Sequence, residues 1–340
     1  MSQSFNLQDP YHGAQAMILG ASGFIGRWVA RALCARGAKV NLVVRNGKTA
    51  ERIFSTYGVH GDCSELDLRN LDAVKKLLQT VSPSIVFNLS GYGMDRSERD
   101  SGIAYRINFE LVDVLSERMV QGGDPNWKGQ SIVHVGSPLE YGTIGGKLAE
   151  DSVPNPTTLY GASKLAGTES LVRWCKACDF KGVTARPFTV YGPGEPRGRL
   201  LPSLLETAKS GKNLPLTTGE QKRDFVYVED VAEGLLRLGL APALPGQIVN
   251  LATGRLTSVR TFAETAAQVM GIPRDRLKFG DLPLLDEEMH HSEVTTESLR
   301  QLTGWQPPTG IADGILKTVD RISCLSLVGD SFRHGSSASL

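Results

Sequence analysis

Four apolar residues, Ala16-Met17-Ile18-Leu19, run straight into Gly20-Ala21-Ser22-Gly23-Phe24-Ile25-Gly26, and a helical pattern begins at once behind them. A short apolar run stopped by glycine reads as a buried parallel strand. From Phe24 to Arg36 the residues Ile25, Trp28, Val29, Ala32 and Leu33 fall on one helix face. Strand, glycine turn and helix form the opening of a βαβ unit. Such a unit constrains much of the remaining chain, because the next strand must lie parallel and the helix must cover the sheet.

The rest of the chain keeps that rhythm. Strands are expected at 40–44, 84–89, 131–135 and 182–186, with a strand-like stretch before Asp67. Helices are expected at 72–78, 104–120 and 158–178. Alternation of this kind predicts an α/β fold, a doubly wound parallel sheet of Rossmann type. After Tyr191 the texture changes to the loop Gly192-Pro193-Gly194-Glu195-Pro196-Arg197-Gly198, then shorter elements near 201–209, 225–228, 231–240, 248–251 and 259–270. The expected organisation is a flexible leader over 1–14 and a dinucleotide-binding domain over 15–190 with parts of 220–255. A smaller α/β substrate lobe is expected mainly over 191–325, and a disordered serine- and glycine-rich tail over 326–340.

Glycine is needed where a chain adopts positive φ or lets a ligand approach its backbone. Gly20 ends the strand, Gly23 admits a pyrophosphate, and Gly26 lets the helix pack close, with the helix N-terminus turned to the phosphates. A carboxylate at the end of the second strand would bind a ribose 2′-hydroxyl. Here Val44-Arg45-Asn46 has no acid, and Arg45 suits a 2′-phosphate. The expected cofactor is therefore NADP(H) rather than NAD(H). Asp67 is expected to bond the adenine amino group, with Leu68 beside it.

Tyr160 and Lys164 stand four apart in Tyr160-Gly161-Ala162-Ser163-Lys164, on one helix face. A free phenol has a pKa of about 10. A neighbouring ammonium, together with the positive nicotinamide, is expected to lower it by favouring the phenolate. Ser137 ends a strand, where parallel sheets build ligand sites, and can supply a hydroxyl to a substrate oxygen.

With these residues in place the chain resembles the extended short-chain dehydrogenase/reductase family, in its nucleotide-sugar branch, over about residues 15–320. The resemblance rests on Gly20 to Gly26, Asp67-Leu68, Leu89-Ser90-Gly91, Asn108, Gly136-Ser137 with Glu140-Tyr141-Gly142, and Tyr160 to Lys164. It extends through Arg186 to Pro193 and Arg223 to Asp230. It implies a catalytic set of Ser137, Tyr160 and Lys164, with Tyr160 as the acid/base. It implies a cofactor site of Gly20, Ser22, Gly23, Phe24, Ile25, Gly26, Leu89, Ser90, Gly91, Asn108, Pro187 and Phe188, besides Tyr160 and Lys164. Substrate contacts are implied for Ser137, Thr189, Arg197, Arg223 and Lys278, with Arg223 on a sugar diphosphate.

The departures narrow the reaction. The 4,6-dehydratases place an Asp-Glu pair where this chain has Pro138-Leu139, and the 3,5-epimerase-reductases place a cysteine at Leu139. The resemblance thus implies an NADPH-dependent reductase of a 4-keto-6-deoxy sugar nucleotide. The alternatives are an NAD-dependent 4-epimerase, a reductase of another carbonyl compound such as the plant dihydroflavonol reductases act on, and a dinucleotide-binding protein without turnover. A homodimer through a helix pair that includes the Tyr160 helix is implied as well.

Bulk properties set bounds on partners. Lysine plus arginine number 37 against 36 acidic residues, which argues against a nucleic-acid partner that needs a basic surface. No apolar run reaches the ~18 residues of a membrane span, the N-terminus lacks a signal-peptide pattern, and a cytoplasmic enzyme is expected. His290-His291 beside Asp286, Glu287 and Glu288 reads as a solvated charged loop, and no metal site is expected.

Overall fold

A computed structural model describes residues 9–95, 97–143, 145–284 and 291–334, with side chains described through Cys324. The first half runs β1 (Gln15–Leu19), α1 (Gly26–Ala35), β2 (Lys39–Val44), α2 (Gly47–Tyr57), β3 (Asp62–Glu65), α3 (Leu71–Val81), β4 (Ile85–Asn88) and α4 (Ser101–Tyr105). A π-turn (Arg106–Glu110), α5 (Leu111–Gly122), β5 (Ile132–Val135), a 3-10 turn (Pro138–Glu140), β6 (Gly146–Leu148) and α6 (Leu159–Cys178) come next. The second half holds β7 (Gly182–Pro187), β8 (Thr189–Tyr191), α7 (Leu200–Ser210), β9 (Leu214–Leu216), β10 (Lys222–Tyr227), α8 (Val228–Leu240) and β11 (Gln247–Leu251). It ends with β12 (Leu256–Ser258), α9 (Val259–Met270), β13 (Leu277–Phe279), β14 (His291–Val294), α10 (Glu297–Thr303) and α11 (Ile311–His334).

The expected sheet is present. Among the described residues it has seven parallel strands in the order β11-β7-β5-β4-β1-β2-β3. Alternate side chains of β1 serve opposite faces, as the pleat requires. Ala16 and Ile18 pack with Val29 and Leu33 of α1 and Leu235 of α8, whereas Met17 and Leu19 pack with Leu111, Leu115 and Leu171 of α5 and α6. Strand order reverses between β1 and β4, so the crevice above their C-terminal ends is where a doubly wound sheet binds its ligand. Separately, β12, β10 and β8 form a three-stranded sheet and β13 pairs with β9. Phe225 stacks on Phe262 with ring centroids 4.2 Å apart. Of the 220–255 stretch, β11 joins the edge of the large sheet and β10 joins the small one.

Four local features differ from the sequence reading. Tyr11, placed in a flexible leader, is fully buried and its hydroxyl donates to Leu236 O at 2.7 Å. The tail expected from residue 326 instead continues α11 to His334, while 335–340 lie outside the described residues. Helix α2 was not expected; the Asn46 side chain caps it by accepting from Thr49 N at 2.8 Å, and Gly58 closes it in the left-handed region at φ 64°. The single helix expected over 104–120 is broken by the π-turn at Arg106–Glu110, a device common beside functional sites.

Candidate active site

The three expected catalytic residues meet above the C-terminal ends of β4 and β5. Thr158 starts α6 by accepting from Gly161 N at 3.0 Å, and Tyr160 and Lys164 then share one face of the helix. Ser137 caps the turn at Pro138–Glu140: its Oγ accepts from Leu139 N at 3.2 Å, and its own amide donates to Glu140 Oε1 at 2.7 Å. The Ser137 hydroxyl lies near enough to the Tyr160 phenol to favour its ionised form.

The electrostatics correct one expectation. The Tyr160 pKa is raised, not lowered: loss of water around the phenol is the largest cause and Glu140 the next, with Glu98 adding to them. Arg199 and the Ser137 hydroxyl oppose the rise. The Lys164 ammonium donates to Ser90 O and Val135 O at 2.9 Å each, at the ends of the strands. Lys164 is 2% exposed, and burial lowers its pKa to about 8 against the opposing pull of Glu140.

The cofactor side is equally defined. Gly20 has φ 75° and lies against the Leu89–Ser90 backbone, and a Cβ at Gly26 would overlap Gly20 O, so α1 can start here only from glycine. The amides of Ser22, Phe24 and Ile25 make no backbone hydrogen bond among the described residues, at the N-terminus of a helix. A glycine cradle with free amides fits a dinucleotide pyrophosphate. Gly91 lies beside the Lys164 head, a Cβ there being 3.5 Å from Nζ. Asn108, on the π-turn, donates from Nδ2 to Tyr92 O and Ser163 Oγ at 2.8 Å and accepts from Tyr92 N at 3.1 Å, which pins the 90–92 segment to α6. Arg45 is exposed at the end of β2. The Glu65 carboxylate accepts from Gly47 N at 2.9 Å. Asp67 is held by the Arg69 guanidinium, which lowers its pKa, and Arg45 acts on it in the same direction, so it is not free for an adenine unless the Arg69 pair opens. Leu68 is half-buried next to it. Pro187 ends β7, and buried Phe188 meets His291 edge-on at 6.1 Å.

The expected substrate residues are more dispersed. Thr189 on β8 pairs in register with Phe225, Arg223 on β10 pairs with Thr257, and Lys278 on β13 pairs with Pro215. Arg223 is half-buried, which lowers its pKa, and its Nη1 donates to Lys222 O at 3.2 Å. Arg197 is exposed in its loop, and it is Arg199, two residues on, whose charge reaches Tyr160. Asp286, Glu287, Glu288 and His290 lie outside the described residues. His291, expected in a solvated loop, is instead 7% exposed on β14.

Sequence reading missed Glu140, Arg186, Glu195 and Arg199. Glu140 and Arg186 are fully buried and paired, Nη2 to Oε2 at 2.8 Å. Glu195 is half-buried, burial raising its pKa to about 8, with Arg199 acting against the rise. Two signals were in the chain: Ser137-Pro138-Leu139-Glu140 has the spacing of a capping box, and Arg186 is the lone charge in an apolar strand.

A doubly wound sheet with a glycine cradle at its switch point and a serine, tyrosine and lysine above the strand ends defines a dinucleotide-dependent enzyme of the extended short-chain dehydrogenase/reductase class. The chain belongs to the NAD dependent epimerase/dehydratase family, whose model matches residues 16–252. It is 29% identical over 325 residues to a UDP-glucose 4-epimerase of Mycolicibacterium smegmatis, covering 90% of this chain and 97% of the relative. It is 27% identical over 318 residues to a dTDP-6-deoxy-L-talose 4-dehydrogenase (NAD(P)(+)) of Kitasatospora kifunensis, covering 89% and 93%. Its fold is similar to that of an epimerase from Methanothermobacter thermautotrophicus, with TM-score 0.80, 20% identity and coverage of 95% and 97%. It is also similar to a dTDP-glucose 4,6-dehydratase of Bacillus anthracis in complex with NAD, with TM-score 0.78, 17% identity and coverage of 91% and 96%. Among the described residues no helix is long and apolar enough to cross a membrane.

Proposed function

We propose that the protein reduces the 4-keto group of a 6-deoxy nucleotide-diphosphate sugar with NADPH. One observation carries the reading: a phenol kept protonated by burial stands beside the hydroxyl of Ser137, in a turn whose next two residues, Pro138 and Leu139, have no side-chain proton to give. Elimination of water needs an acid and a base beside the sugar; Pro138 and Leu139 supply neither, and Glu140 is turned inward onto Arg186. Reduction needs one acid, and Tyr160 is one at neutral pH.

When bound, the reduced nicotinamide supplies the hydride for the ketone carbon. Tyr160 delivers its proton to the forming alkoxide, and Ser137 donates a hydrogen bond to the same oxygen from a fixed position. Lys164 locks the ends of β4 and β5 through Ser90 O and Val135 O and presents its charge to the cofactor ribose. Arg45 meets the 2′-phosphate, since the neighbouring Glu65 carboxylate is engaged by Gly47 N. Arg223 takes the sugar diphosphate, with Thr189, Arg197 and Lys278 around the substrate. The resemblance to a 4-dehydrogenase that uses either dinucleotide supports this chemistry. A cytoplasmic homodimer through α5 and α6 accompanies it, checked by light scattering.

A second reading, an NAD-dependent nucleotide-sugar 4-epimerase, is favoured by the 29% identity to the Mycolicibacterium enzyme. An epimerase purifies with tightly held nucleotide and turns over without added reductant; the proposed reductase does neither. Tyr160→Phe is expected to abolish NADPH oxidation while leaving NADPH binding intact. Turnover of that variant near the wild-type rate overturns the assignment.

A further inference from the structure

The turn that carries Ser137 rests on a buried charge pair far stronger than its capping requires. A capping box closes the start of a helix with a glutamate that normally stays in water. Here the element it caps is only three residues long, and Glu140 is 0% exposed. A carboxylate so placed is costly unless every lone pair finds a donor and a cation stands beside it. Arg186 provides the cation from β7, itself 0% exposed: Nε donates to Glu140 Oε2 at 2.9 Å and Nη2 lies 2.8 Å from the same oxygen. The other oxygen, Oε1, accepts from Ser137 N at 2.7 Å. The guanidinium carbon lies 4.3 Å from the centre of the Tyr141 ring, whose hydroxyl donates to Asn250 Oδ1 on β11 at 2.7 Å.

The backbone is shaped around that carboxylate. A Cβ at residue 136 would overlap Glu140 Oε1 and come within 3.0 Å of Thr184 Cγ2 and 3.3 Å of Thr168 Oγ1, so only glycine leaves the carboxylate its place. Replacing buried ion pairs by apolar residues is often neutral or stabilising, so stability does not explain why this pair lies under the catalytic serine.

We propose that Glu140, clamped by Arg186, is a positioning residue: through the Ser137 amide it holds the serine hydroxyl in place beside the Tyr160 phenol. The inference rests on the reading of Ser137 and Tyr160 as the reacting pair. The charged groups that act on Tyr160 include Glu140 from the turn, Glu98 from the loop after β4 and Arg199 from the start of α7, and Lys164 stands one turn along on the same face of α6. Glu140 raises the pKa of the phenol and acts in the same direction on Lys164.

The test compares three variants with wild type for kcat, KM and the pH dependence of kcat, each with its melting temperature. Glu140→Gln keeps the side-chain shape and removes the charge. Glu140→Val with Arg186→Leu removes the pair together, which keeps a foldable protein in hand if the single variant does not fold. Tyr160→Phe checks the underlying assignment. The expected result for whichever Glu140 variant folds is a kcat lower by about 10- to 100-fold, KM within about threefold of wild type, and an alkaline limb of the kcat profile moved to lower pH. A folded variant that keeps kcat within twofold, or loses kcat without moving the alkaline limb, overturns the inference. Retained activity in Tyr160→Phe is a different failure, that of the reductase reading itself.

Discussion

Gly161 sits between the catalytic tyrosine and the rest of its helix, and its replacement by alanine sets two effects against each other. On helix propensity alone alanine is preferred to glycine by about 1 kcal/mol in a helix interior, and by less in a first turn. Against that, a Cβ at 161 would overlap Leu139 O and stand only 3.0 Å from Leu139 C and 3.1 Å from Thr158 Oγ1. Carbon atoms rest about 3.5–4.0 Å apart, so α6 must retreat from the turn by about half to one ångström. The turn cannot yield instead, because Leu139 O accepts from Gly142 N at 3.2 Å and Leu139 N is tied to Ser137 Oγ at 3.2 Å. Overpacking of this kind costs ~1–3 kcal/mol, which exceeds the propensity gain, so a lower melting temperature is expected. The larger effect falls on turnover. Tyr160 moves with α6 and Ser137 stays with the turn, so the displacement separates the two hydroxyls that must hold one oxygen, and a misplacement near 1 Å costs ~10²-fold in rate. The assay is NADPH oxidation with a 4-keto-6-deoxy sugar nucleotide, read beside the melting curve. A Gly161→Ala protein with near wild-type kcat/KM and an unchanged or higher melting temperature would refute the seating of α6 on this turn.

Two more outcomes are expected from the same geometry. Arg45→Ala is expected to weaken NADPH by about tenfold or more, the worth of one charge-assisted contact, while NADH is untouched; equal weakening of both in fluorescence titrations takes Arg45 off the 2′-phosphate. Lys164 has its pKa lowered to about 8 in the folded chain, so below that pH both folded and unfolded states carry the charge and the folded state bears the full burial penalty. As pH rises from 8 towards the ordinary lysine value of 10.5 the folded state sheds its proton first, and stability is gained, on the order of 3 kcal/mol in all. The stability difference between wild type and Lys164→Met, from urea unfolding at pH 7 and pH 10, should therefore move in favour of wild type at the higher pH; a difference that ignores pH contradicts a buried ammonium.

How much of this was legible in the chain depends on how far each residue's partner lies. The buried strands announce themselves locally: Ile85-Val86-Phe87 and Val183-Thr184-Ala185 are apolar because both faces of the sheet are covered. The Tyr160–Lys164 spacing and the glycine turn are local too, and the structure places them at the same crevice. The π-turn is not local, since it exists where Asn108 satisfies Tyr92 from another segment. Tyr11 reads as part of a polar leader because its acceptor, Leu236 O, lies 225 residues away. The partners of the Lys164 head are not local either: i, i+4 spacing puts it on the face of Tyr160, but the carbonyls that accept from it come from Ser90 and Val135, after β4 and at the end of β5.

The segment from Gly136 to Gly142 shows why position within one motif separates reaction type from reaction geometry. Gly136, Glu140 and Tyr141 face inward and are engaged with the sheet: Glu140 with Arg186 of β7, Tyr141 with Asn250 of β11. Pro138 and Leu139 are half-buried, and no hydrogen bond from their side chains supports the turn. Chemistry at 138 and 139 can therefore change with little effect on the frame, whereas 136, 140 and 141 cannot change singly without leaving a charge or a hydroxyl unpaired in the interior. The inward residues hold the Ser137 backbone in place: its amide donates to Glu140 Oε1 at 2.7 Å. On the proposed reading, the half-buried pair 138–139 is where further chemistry on the sugar would be added, and proline and leucine add none.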